Sequence, residues 1–146
     1  MATTTAAVTL TSDLLSDNMS VSASTTCMKA GTTADGLDMI DYGIIEVVTG
    51  DQFDLLDADD EDGTTIAGVM ANKANKVYIK NHSIDETYFV SIMIDTQDIG
   101  KLYAGDWMFI PWDASTDDKD IEITASGGTN KIEYALFHQG KTLTAS

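Results

Sequence analysis

The densest run of chemically capable side chains is Asp57-Ala58-Asp59-Asp60-Glu61-Asp62-Gly63. Its oxygens would suit calcium, which needs several carboxylates converging on it. A helix-flanked calcium loop also needs glycine at its sixth position and a two-oxygen glutamate at its twelfth. Counted from Asp57, Asp59 and Glu61 fall at the third and fifth positions, but Asp62 occupies the sixth and Gly68 the twelfth. Both critical positions fail. The run reads as a solvated acidic loop, with a weak or interface-shared cation site as its alternative.

Two histidines, His82 and His138, and one cysteine, Cys27, are the next side chains to weigh as metal ligands or nucleophiles. Neither histidine stands in an HExxH or His-x-His pattern, so zinc is unsupported. Each reads as a surface or strand-end residue, and Cys27 as a small buried hydrophobe. A nucleophile elbow of the form G-x-S-x-G is missing. Gly127-Gly128 is followed by neither the Lys-Ser/Thr nor the helix of a phosphate loop. The expectation is a protein with no catalytic residues, no cofactor, no metal and no small-molecule substrate.

Aromatic residues offer a different chemistry. Trp107, Trp112, Tyr103, Phe109 and Tyr134 could make a platform on which sugar rings stack. Alternation places Trp107, Phe109 and Pro111 on one side of a strand and Met108, Ile110 and Trp112 on the other. Both sides are apolar, so the strand is expected to be covered on both, by a core and by a subunit interface.

The elements that must position these residues are strands. Alternation or β-branched content marks Thr5–Thr11, Asn18–Met28, Leu37–Thr49, Gln52–Leu56, Lys76–Asn81, Thr87–Ile94, Lys101–Tyr103 and Trp107–Trp112. Gly43 within the third segment is expected to mark a bulge or bend. Lys76–Asn81 and Thr87–Ile94 read as a hairpin. So do Ile121/Ile123 with Ile132/Tyr134/Leu136, around the turn Ser126–Asn130. Thr65–Asn75 is ambiguous between a helical turn and a short strand, and Thr11–Ser16 could form a short helix. About eight to ten short strands, with turns every 8–12 residues, predict an all-β antiparallel β-sandwich or barrel.

Composition bounds the rest. The 146 residues fit a single domain, and a chain of this size buries roughly 70% of its unfolded surface without staples. One cysteine allows no internal disulfide, which fits synthesis in the cytoplasm. The first ten residues lack the basic and apolar regions of a secretory signal. No run approaches the ~18 apolar residues of a membrane span. Twenty-four acids against 8 bases give a net charge of −16, which opposes binding to nucleic acid or to anionic membranes. The segment 1–7 is small and polar, and is expected to be a flexible or strand-donating arm. The tail 140–146 reads the same way.

The stretch Leu102–Asp113, followed by Ile121–Thr124 and Ile132–Phe137, resembles small jelly-roll virion structural proteins of tailed bacteriophages, the capsid cement or decoration group. The resemblance implies a jelly-roll-like sandwich, a homotrimer on the outer capsid surface of the virion, and a major capsid protein as partner. The residues then expected at interfaces are Thr3, Thr4 and Thr5 of the arm and Trp107, Phe109 and Trp112 of the aromatic strand. The alternatives are a tail- or fibre-associated module that binds host glycans, and a minor tail or adaptor protein.

Overall fold

In the computed structural model, residues 3–13, 19–29, 39–56, 75–114 and 119–138 are described. Ten strands run through them: β1 (Thr3–Ser12), β2 (Met19–Lys29), β3 (Met39–Val48), β4 (Gln52–Leu56), β5 (Lys76–Asn81), β6 (Phe89–Ile94), β7 (Gln97–Tyr103), β8 (Trp107–Pro111), β9 (Ile121–Ala125) and β10 (Thr129–His138). Every pairing is antiparallel. The all-β sandwich read from the sequence is therefore the fold. The acidic run 57–63 lies outside the described residues, as do nearly all of the ambiguous segment 65–75 and the tail 140–146.

β1 and β2 form a ribbon of their own. The other eight strands make two four-stranded sheets, ordered β3-β10-β5-β8 and β4-β9-β6-β7. From β3 onward the chain changes sheet at every step except the β6–β7 hairpin. This is the wiring of a jelly roll, in which two Greek keys interleave to give two facing sheets. Alternation produces it directly. β5 and β9 bury every second residue, so Val77, Ile79, Ile121 and Ile123 face inward. They meet Val90, Ile92, Ile132 and Leu136 in one closed core.

The wiring corrects both expected hairpins. β5 and β6 lie in opposite sheets, and so do β9 and β10. Two adjacent alternating strands were the right units, but their apolar faces meet across the core rather than edge to edge. Within the two facing sheets, the hairpin that does form joins β6 to β7 through Asp95 and Thr96, both at positive φ (50° and 59°), with Ile94 opposite Gln97. Positive φ at both central residues is the geometry of a type I′ turn.

Gly43 is neither bulge nor bend, for the β3–β10 register runs unbroken through it. It stands opposite Tyr134, whose ring occupies the space a side chain would need. Gly127 and Gly128 serve the same end for Tyr88, whose ring lies against both. The arm pairs within its own chain: Thr3, Thr4 and Thr5 stand opposite Lys29, Met28 and Thr26, with a register shift between Thr4 and Thr5. Thr11 and Ser12, which open the segment read as a possible short helix, are strand as well, and residues 14–16 lie outside the described residues.

Candidate functional site

Among the described residues the sandwich has a polar knot at the end of β5 and a chemically varied surface. The knot is Asn81, fully buried at the end of β5. Its Nδ2 donates to the Leu102 carbonyl at 3.0 Å, and its Oδ1 accepts from the Ser83 amide at 2.9 Å. Its backbone amide and carbonyl bond Asp106 and Gly105. A buried amide is tolerated when its groups are satisfied in this way, and here it ties the β7–β8 corner to β5.

The surface is the outer face of the β3-β10-β5-β8 sheet. Register sets its side chains in rows. Ile44, Glu133, Lys80 and Trp107 form one row, and Tyr42, Ala135, Tyr78 and Phe109 the next. Side chains in such rows stand about 5 Å apart and touch. Phe109 meets Phe137 edge to face, with ring centroids 6.3 Å apart. The β1–β2 ribbon lies over part of this face: Ala6, Ala7 and Val8 oppose Tyr78, Lys80, Trp107 and Phe109 across a groove of about 300 Å³.

At the centre of the face sits Glu133. Tyr42 donates its hydroxyl to Oε2 at 2.5 Å, and Tyr78 donates to Oε1 at 3.2 Å. His82 Nε2 lies 3.0 Å from the same Oε1. These bonds, Tyr42's first and His82's next, hold the Glu133 carboxyl below its ordinary range. In return the carboxylate raises the Tyr42 hydroxyl pKa, while burial and then the same carboxylate raise that of Tyr78. Among the described residues no three His, Cys, Asp or Glu side chains gather.

The structure divides the expected aromatic platform. Trp107 is 47% exposed and Phe109 half-buried on the outer face, whereas Trp112 is 3% exposed and belongs to the core. Trp112 donates its indole N–H to the Lys119 carbonyl at 2.8 Å. Tyr134 is also inside, where burial raises its hydroxyl pKa and Asp41 adds to the shift. Tyr103 lies on the other sheet, beside Phe89 at 5.1 Å, and Lys101 covers the Phe89 ring at 4.5 Å.

The inner side of β8 is covered by the core as expected, with Met108 and Ile110 packed against it. β8 is an edge among the described strands, and on its outer side, where a subunit interface is expected, Trp107 and Pro111 are exposed in the single chain. His82 is at the surface, as read from the sequence. His138 ends its strand but is buried, with Nε2 2.6 Å from Asp41 Oδ2. The side chains of Thr3, Thr4 and Cys27 lie outside the described residues. Sequence reading did not single out Tyr42, Tyr78 or Glu133. Tyr42 and Glu133 are 91 residues apart in the chain, and only the β3–β10 register brings them together.

No family model matches the chain, and no curated protein matches it. Among solved structures, the crystal structure of a cupin protein from Bacteroides fragilis aligns over 73% of this chain and 72% of that chain, with a TM-score of 0.42 and 19% identity. These findings correct the resemblance to phage virion proteins: the structural likeness is to a cupin, and no phage family accounts for the matching residues. Those residues (Leu102, Trp112, Ile121, Ile123, Ile132, Leu136) are core positions of the sandwich, which explains why they carried a likeness of architecture alone.

Proposed function

We propose that this chain is a structural protein that catalyses no reaction: it self-associates and bridges subunits of a larger shell. The observation that carries this reading is the row Ile40, Tyr42, Ile44 and Val48 on the outer side of β3. All four are exposed, with Tyr42 at 60% and Ile44 at 52%. Among the described strands β3 is also an edge of its sheet, so the open side of its backbone lies beside that apolar row. An open edge next to exposed apolar side chains favours a covering partner.

The β1–β2 ribbon supplies the matching surface. A two-stranded ribbon alone is marginally stable in water, and this one leaves Leu10 and Val21 about half exposed. In the proposed assembly the ribbon of one copy lies on the β3 side of the next, closing a trimer. The high negative charge keeps free copies apart until the apolar surfaces meet. A repeating shell of major capsid subunits is the partner to test first, since three copies bound together multiply weak contacts by avidity.

Native mass spectrometry and light scattering test the first step. The wild-type chain is expected to be an oligomer, and Ile44→Asp a folded monomer with an unchanged circular dichroism spectrum. A monomeric wild-type chain at tens of micromolar would overturn the reading. A second reading, glycan binding, keeps the groove at Trp107, Tyr78 and Phe109 but loses Trp112 to the core. It predicts glycan capture that Trp107→Ala abolishes.

A further inference from the structure

We propose that Tyr42, Tyr78, Glu133 and His82 form a binding site for a hard trivalent cation, ferric iron in particular. The site lies on the outer face of the β3-β10-β5-β8 sheet, and its ligand Tyr42 belongs to the row that the assembly proposed above would cover. Three oxygens and one nitrogen donor come from three adjacent strands and the residue after β5. Tyr42 Oη lies 2.5 Å from Glu133 Oε2; Tyr78 Oη and His82 Nε2 lie 3.2 and 3.0 Å from Oε1. Ligands about 2.0–2.1 Å from a metal, at right angles to each other, stand roughly 2.9 Å apart. The spacings from Glu133 to its three neighbours bracket that value, so each neighbour is within reach of an ion held by the carboxylate.

The donor types decide which ion. Carboxylate and phenolate oxygens are hard ligands, and no thiolate takes part. Lys80 stands opposite Glu133 across β5, and Lys131 lies two residues away on the same face. Their positive charge repels a bound cation, so the attraction must come from phenols that give up their protons. With both phenols deprotonated the set carries three negative charges, matching a trivalent ion. On binding, each Tyr O–H gives its proton to solvent as the oxygen–metal bond forms, with no change of oxidation state. Tyr42 and His82 are exposed in the single chain, so an ion can enter before a neighbouring copy covers the face, and water or a small anion would complete the coordination sphere. The net charge of −16 raises the local cation concentration.

Titration of the full chain with ferric nitrilotriacetate tests this. Tyrosinate bound to ferric iron gives a visible charge-transfer band that neither component has alone. The band is expected to saturate at one iron per chain. Tyr42→Phe and Tyr78→Phe should each remove part of it, and the double variant all of it, with oligomeric state followed in the same samples. No band in the wild-type chain overturns the proposal, and so does a band that survives in the double variant. If the double variant fails to fold, the exposed Tyr42→Phe alone decides, because an unchanged band there excludes this site.

Discussion

The phenol of Tyr134 lies directly over Gly43, so that a β-carbon at Gly43 would come within 2.7 Å of its oxygen. The two residues are register partners on β10 and β3, and the glycine gives the ring room at the sandwich interior. Gly43→Ala should therefore overpack the site and destabilise the fold by about 1–3 kcal/mol. Tyr134→Phe removes the nearest contact and should recover part of that loss. A double-mutant cycle in urea measures the coupling.

The two tryptophans should separate stability from association. Trp112→Ala removes a core side chain and orphans the Lys119 carbonyl, costing about 3–5 kcal/mol. Trp107→Ala, on the open side of β8, should leave the midpoint of thermal unfolding nearly unchanged. Calorimetry on both variants checks this ordering; equal losses would contradict the assignment of Trp107 to the outer face.

Asn81 predicts a penalty of another kind. Asn81→Ala strips partners from the Ser83 amide and the Leu102 carbonyl at once. A buried polar group left unmade costs about 1–3 kcal/mol, and the β7–β8 corner keeps only its backbone bonds to β5. Amide hydrogen exchange should show Ser83 protection falling ahead of the core strands.

Acid should act through Glu133. Its folded-state pKa lies below the usual 4.5, so its contribution is present above the unfolded pKa and is lost as pH falls through the folded one. The Tyr42 and Tyr78 hydroxyls are raised above 10.0, so their contribution is present below that value and is lost as pH rises through the higher folded values. Glu133→Gln should flatten the acid limb of a thermal-midpoint profile. An acid limb identical to wild type would remove Glu133 from the account.

How far the sequence discloses this molecule depends on range. Alternation located the strands, since β5 and β9 bury alternate residues as a half-buried strand must. It could not tell which strands pair, because an inward Ile121 looks the same whether its neighbour lies beside it or across the core. The β6–β7 turn was missed for a local reason: Asp95-Thr96 lacks the glycine that usually marks a type I′ turn. The Glu133 cluster was hidden for a long-range one, as its members are scattered singly along the chain and neither tyrosine has a motif.

The position of β10 has a consequence for synthesis. It is the last of the ten strands to leave the ribosome, yet it lies between β3 and β5 in its sheet. Until it emerges, β3 has no described neighbour in that sheet, and the core lacks Ile132, Tyr134 and Leu136. The sandwich therefore cannot be completed domain-half by domain-half during translation. A chain cut short before Thr129 carries every earlier strand but not the strand that joins β3 to β5, and should be cleared by proteolysis rather than accumulate as a partly folded competitor.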